Sequence, residues 1–334
     1  MSNQQDVLTE TNKVIPVSFW RHFAEDETID ALKHPEENQI NIEGHKAYIK
    51  AVQPDFVKLM SDGYFNLPLN GVADPKNIDD LKKIQVIADD DEWLLRQVDL
   101  VKAQRKVIGD RKTFYNIFSP VTLLKWALFD SSQELPKQGD ERLTQFFIDY
   151  PDDITHILEV IAQGVIKQIK AVVDEGGADG VYYSTQELQS DHYNHDLFDH
   201  IQKKIDLSII AVINEVSDVN ILHICGYSET KNHLSWFTDY DLPIVNWAVK
   251  IEDVSLREGQ DIFKDKIVLG GFGNNTQDIL YRGSREEIEA EVTNVLADVD
   301  TSRVIIGADC TVPRDISIDH LKWAIDAVHQ VAIV

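Results

Sequence analysis

The sequence predicts a single (β/α)8 TIM barrel, because short apolar runs recur at intervals of tens of residues, segments with helical spacing lie between them, and the runs do not alternate with polar residues. A strand that is apolar on both faces is one covered on both faces, as in a parallel sheet wrapped by helices. Eight runs carry this signal: VIPVSFW (14–20), FVKLM (56–60), TFYNIFS (113–119), DGVYYS (179–184), NILHICG (220–226), PIVNWA (243–248), KIVLGGF (266–272) and RVIIGAD (303–309). A doubly wound open sheet would show the same local pattern.

The intervening segments read as helices. In SREEIEAEVTNVLADV (284–299), Ser284 and Glu287 form a capping box and Ile288, Val292 and Val295 share one face. DITHILEVIAQGVIKQIKAVVDEG (153–176) is closed by Gly176 and Gly177, and DISIDHLKWAIDAVHQVA (315–332) supplies the last helix. The stretch 61–112 is expected to be helical and partly lid-like, opened by Asp62-Gly63-Tyr64. No repeat or Pro/Gly-rich linker divides the chain, so residues 14–334 are expected to form one catalytic domain behind a flexible N-terminal segment, 1–13.

Composition narrows the function. The chain has 334 residues, 43% of them hydrophobic, with 57 acidic residues against 32 Lys and Arg and a formal charge of −25. That charge repels nucleic acid and anionic membrane alike, and no basic cluster offsets it. The polar N-terminus lacks an apolar targeting core, and no stretch approaches the ~20 apolar residues of a spanning helix. With only two cysteines, no disulfide framework is available, and a reducing, cytoplasmic setting is expected.

In a barrel, chemistry belongs at the C-terminal ends of the strands. Those ends carry Arg21, Asp62, Ser119, Ser184, His223 with Cys225, Asn246 with Trp247, Asn274, and Asp309 with Cys310. His223 and Cys225 stand at i and i+2 of a strand and so point to one face, while Cys310 follows the last strand. One imidazole and two thiolates would leave one position of a tetrahedral zinc open, the catalytic arrangement, where an entering thiol would lose its proton. The competing reading is that both cysteines are small core residues and His223 a core histidine.

The segments LHICGYSE, KIVLGGFGN followed by YRGSREEI, and GADCTVPRDISIDHLKWAIDAV resemble the uroporphyrinogen decarboxylase superfamily, specifically its zinc-dependent, corrinoid-linked methyltransferase branch. The resemblance runs from about residue 14 to the C-terminus and implies a TIM barrel of the uroporphyrinogen decarboxylase type. It implies His223, Cys225 and Cys310 as zinc ligands, and a reaction in which zinc activates a small thiol, such as coenzyme M, to take a methyl group from a methylated corrinoid. No segment resembles a corrinoid-binding domain, so the corrinoid would sit on a separate partner protein. A homodimer is suggested by resemblance to the decarboxylase.

The decarboxylase branch is the alternative. FVKLMSDGYF resembles its segment ending in a catalytic Asp, which falls on Asp62. RHFAE keeps Arg21 of that branch's N-terminal signature but places Glu25 where a second Arg is expected, Trp126 stands for a Tyr, and GADC lacks the branch's terminal histidine. Exchanging Arg for Glu removes a bidentate partner for a polycarboxylate and adds repulsion. A third reading is a ligand-binding barrel without catalysis.

The remaining candidates are weaker. Asp62 is either a turn residue before Gly63 or a general base, and Arg21 either a structural partner or a site for an acidic substrate group; Tyr64, Ser119, Ser184, Asn246 and Asn274 are candidate substrate contacts. Glu229 and Asp309 are possible fourth zinc ligands. SDHYNHDLFDH gathers His192, His195 and His200 among aspartates, yet their spacing does not share one helical face, and a solvated loop is expected. GGFGNN lacks a full dinucleotide motif and reads as an active-site turn in which Gly270, Gly271 and Gly273 let the backbone approach a ligand.

Overall fold

The computed structural model describes residues 14–70, 72, 75, 77–129, 136–226 and 230–331; the segment 1–13, expected to be flexible, lies outside them. Seven parallel strands form one curled sheet in chain order: β1 Phe56–Leu59, β2 Lys112–Phe118, β3 Gly180–Thr185, β4 Ile221–Ile224, β5 Ile244–Trp247, β6 Ile267–Phe272 and β7 Val304–Ala308. Seven of the eight predicted runs are thus strands, in a TIM-barrel-like arrangement. Among the described residues no helix is long and apolar enough to cross a membrane.

The eighth run, 14–20, differs from expectation. It touches both edge strands and makes the parallel bridge Val17 to Ile306, but it is not built into a strand ladder. Side chains take up the backbone groups that a ladder would have used: the Asp55 carboxylate accepts from the Val17 amide at 2.7 Å, the Ser18 hydroxyl donates to the Phe56 carbonyl at 2.7 Å, and Pro16 has no amide to give. Asp55 also meets His329 Nε2 at 3.0 Å, tying the same seam to the C-terminal helix region.

Alternation along the strands feeds two separate cores. Phe56, Phe114, Tyr182, Ile221, Ile244, Ile267, Leu269 and Ile305 pack together with Trp20 and Met60 inside the curl. Their strand neighbours, such as Val57, Tyr115, Val181, Leu222, Val245 and Val268, join the larger core beneath the helices. Residues 14–20 obey the same rule: Ile15, Val17 and Phe19 face outward to the helices and Trp20 inward. This double use of each strand is why the runs carry no polar alternation.

The helices follow their local signals. Ser284 and Glu287 make the expected reciprocal cap of the helix Arg285–Val295. The helix Pro151–Lys170 continues as a π-helical turn to Glu175 and stops at Gly177, whose φ of +83° suits glycine. The last helix is Ile318–Val328. Between β1 and β2 lie the short helix Ile78–Leu81 and the long helix Glu92–Ile108.

One buried carboxylate fastens β3 to the helix Lys203–Val216. Asp206 accepts hydrogen bonds from the hydroxyls of Tyr183 (2.7 Å), Tyr240 (2.8 Å) and Thr185 (3.0 Å). Burial pushes its pKa up from 3.8 to about 6, despite those donors. The folded state therefore binds this proton more tightly than the unfolded chain, so the group's stabilising contribution is full below pH 4 and is lost as pH rises through 6, by at most about 3 kcal/mol. The melting temperature of Asp206→Asn minus that of wild type is expected to increase from pH 4.5 to pH 7. A difference that stays flat over that range would show that Asp206 titrates alike in both states.

Candidate metal centre

Strand register brings the central residues to one level. Ser184 pairs with His223 and His223 with Asn246, placing three consecutive strands' side chains in a row inside the curl. His223 is buried to 1% exposure, and Cys225 extends β4 by one step through its amide's bond to the Thr185 carbonyl at 2.8 Å. Cys310 follows β7 and lies with its sulfur 3.5 Å from His223 Nε2. The ligand atoms of His223, Cys225 and Cys310 all fall within 4.8 Å of one another, and among the described residues they form the one such group of three His, Cys or carboxylate side chains.

Asn246 decides how the histidine is presented. Its Nδ2 donates to the backbone carbonyls of Leu269 (2.8 Å) and Ala308 (3.3 Å), which only accept, so the amide orientation is determined. Oδ1 then accepts from the Tyr182 hydroxyl at 2.7 Å and from His223 Nδ1 at 2.5 Å. A neutral His223 therefore carries its proton on Nδ1 and leaves Nε2 as a bare lone pair facing the two sulfurs. That is the oriented imidazole a metal site requires.

The two thiols share a proton unequally. The hydrogen bond from the Cys225 thiol, reinforced by the Lys58 ammonium, holds Cys310 well below the ordinary thiol range against the effect of burial. The same bond, together with burial, holds Cys225 well above it. One thiolate is thus favoured without any ion, and a cation between the sulfurs would remove the second proton.

Lys58 was not marked by sequence reading. It projects inward from β1, only 5% exposed, with Nζ 4.0 Å from the centre of the Tyr182 ring and 5.5 Å from that of Trp20. Burial brings its pKa down to about 8, although the neighbouring sulfurs and Asp62 pull it upward. The available signal was a lone lysine two positions after Phe56, in the inward register of an apolar run.

Asn232 ties the Cys225 carbonyl to buried Glu252 and Glu187. Asn232 Nδ2 donates to the Cys225 carbonyl (3.1 Å) and to Glu252 Oε1 (2.7 Å), and its Oδ1 accepts from the Glu187 amide (2.9 Å). Burial raises the pKa of both Glu187 and Glu252.

A cavity of about 280 Å³ opens beside Cys225, walled by Phe118, Trp126 and Phe129 and reached by Ser184 and Lys125. Lys125 is buried and paired with the equally buried Asp140 at 3.0 Å.

Other expected site residues are not among these three ligands and are engaged by their own neighbours. Asp62, 1% exposed, accepts from His22 Nδ1 (2.8 Å) and from the amides of Phe23 (2.9 Å) and Ala24 (3.2 Å). Burial raises its pKa, but those donors outweigh burial and leave it below the ordinary value. Arg21 donates to the Arg314 carbonyl at 2.7 Å, Tyr64 to Asn38 at 3.0 Å and Asn274 to the Thr311 carbonyl at 3.1 Å. Ser119 caps the helix Pro120–Ala127. Trp247, next to Asn246, turns to the outer core.

Asp309 is not among the gathered ligands. Its Oδ2 accepts from the Lys250 amide at 2.8 Å, and burial pushes its pKa up to about 7. Glu229 lies outside the described residues. His195 and His200 pair with Asp199 and Asp196 on the surface rather than with one another. In the glycine-rich turn, a Cβ on Gly271, whose φ is +113°, would sit 2.4 Å from Val295. The close approach at Gly271 is to the chain's own helix Arg285–Val295.

Comparison with known proteins follows the same lines. A family model described as uroporphyrinogen decarboxylase (URO-D) matches residues 69–331. No curated protein matches by sequence. Among solved structures, a methyltransferase from Methanosarcina mazei is similar with a TM-score of 0.68 at 18% identity, over 98% of this chain and 97% of that one. A B12-independent methionine synthase from Shewanella sp. W3-18-1, in complex with selenomethionine, has a TM-score of 0.61 at 13% identity, over 95% and 97%. A beta-mannanase from the blue mussel Mytilus edulis reaches 0.54 at 10%, over 95% and 92%. At such identities the likeness speaks to fold alone.

Replacing Asn246 by Ala removes the acceptor that orients His223, and zinc affinity is expected to fall about 10- to 100-fold. Competition with a chromogenic chelator measures this, with circular dichroism to establish that the variant is folded; unchanged affinity in a folded variant would deny Asn246 that role.

Proposed function

The chain belongs to the uroporphyrinogen decarboxylase family, and on that premise we propose that it is a zinc-dependent methyltransferase, moving a methyl group from a methylated corrinoid on a separate protein to a small thiol. The observation that carries this reading is the convergence of His223, Cys225 and Cys310 within 4.8 Å, with the imidazole oriented by Asn246. A borderline-soft donor set of one nitrogen and two sulfurs, with the nitrogen lone pair bare and one sulfur already favoured as thiolate, fits zinc with one position open. The family's curled sheet and the resemblance in fold to a methyltransferase support it. We read residues 14–20 as the eighth stave of a closed barrel.

Zinc held there would supply a Lewis acid that lowers the pKa of an entering thiol. The chain's own residues do the rest. His223 and Asn246 hold the geometry, Cys225 and Cys310 provide the thiolates, and the buried Lys58 ammonium supplies a nearby positive charge. As the acceptor sulfur bonds to the methyl carbon, the old bond's electron pair stays with the corrinoid and the thiol proton leaves to solvent. Asp62 keeps the loop 22–24 in place with both of its oxygens, a position from which we propose that it shapes the substrate mouth together with Arg21 and Tyr64. A cytoplasmic location and a homodimer are parts of the same proposal.

Elemental analysis of protein purified without a metal-binding tag is expected to find about one zinc per chain, lost in a Cys225→Ser, Cys310→Ser double variant. The zinc-loaded protein is expected to demethylate free methylcobalamin when a thiol is added, and a chelator to abolish this. Absence of metal combined with chelator-insensitive turnover of a porphyrinogen would replace this reading by decarboxylation.

A further inference from the structure

Resting on the methyltransferase reading, we infer that the cavity beside Cys225 is the acceptor site and that it selects a neutral thiol with an apolar body, an alkyl or single-ring aryl thiol, over an anionic one. Cys225 forms part of the cavity wall, so an occupant has one end at the metal centre. At about 280 Å³ the space is at the lower end for small-molecule sites and far too small for a corrinoid, which leaves the acceptor as its occupant.

The wall chemistry sets the class. Phe118, Trp126 and Phe129 offer half-buried aromatic faces, with Phe118 and Trp126 packed edge to face at 4.7 Å. An apolar body is drawn to such a wall by removal of its surface from water. An anionic head would need a cation to replace its hydration. The lysine at the wall, Lys125, is already neutralised by Asp140 at 3.0 Å, with both side chains buried. Arg21, whose guanidinium donates to the Arg314 carbonyl, is not part of the cavity wall. With a formal charge of −25 over the chain, the approach of an anion is opposed as well.

Calorimetric titration of the zinc-loaded full chain with three probes tests this: 2-phenylethanethiol, 2-phenylethanol and 2-mercaptoethanesulfonate. The aryl thiol is expected to bind at least about tenfold more tightly than the sulfonate, and Trp126→Ala to weaken the aryl thiol by about tenfold while leaving the zinc content unchanged. The alcohol reports on the cavity alone. If it binds, loses affinity in Trp126→Ala, and the thiol gains nothing over it, the cavity assignment stands and the zinc–thiol reading falls. Binding of 2-mercaptoethanesulfonate as tight as that of the aryl thiol, aryl binding indifferent to Trp126→Ala, or no binding of either aryl probe would overturn the inference.

Discussion

A single carboxamide holds the functional end of this molecule together. Asn246, on β5, donates to backbone carbonyls of β6 and β7 and accepts from side chains of β3 and β4, so five of the seven strands meet on one buried group. Because backbone carbonyls cannot donate, the arrangement has one orientation only, and that orientation dictates which nitrogen of His223 carries the proton. A fully satisfied buried network of this kind is costly to leave half made, which makes it rigid. The metal centre inherits its geometry from that rigidity.

Charge is distributed with the same economy. The surface is strongly acidic, yet inside the curl stands Lys58, on an aromatic ring and near two sulfurs, where burial works against its charge. Such a cation favours the Cys310 thiolate without bonding to it and balances a donor set that becomes anionic when its protons leave. The neighbouring cavity shows the opposite treatment, since its lysine is cancelled by Asp140. Two buried lysines therefore serve different ends: one meets the sulfurs, the other closes an ion pair and leaves an aromatic wall to define the occupant.

The fold was legible because parallel strands that feed two cores must be apolar throughout, and runs such as KIVLGGF and RVIIGAD say so directly. The run 14–20 says so as well, but its backbone partners are partly side chains, those of Asp55 and Ser18, and no local pattern announces that substitution. The Ser284 cap was readable because both partners lie three residues apart. At the site, His223 and Cys225 were readable from their i and i+2 spacing, and Cys310 from its place after a strand. Lys58 and the pairing of Lys125 with Asp140 were not, because a lysine in an apolar run looks the same whether it escapes to solvent or is held inside.

The sequence by itself determined the strand and helix order, the acidic surface, and the presence of one imidazole and two thiols at strand ends, because periodicity and composition act locally. Only the tertiary structure decided that these three converge, that Asn246 and not a carboxylate orients the histidine, that Asp62 is engaged by His22 and the loop amides, and that the cavity at Cys225 is aromatic and without a free cation among its described walls. Each of these depends on which strands become neighbours when the sheet curls, a choice made by packing over the whole chain rather than by any segment of it.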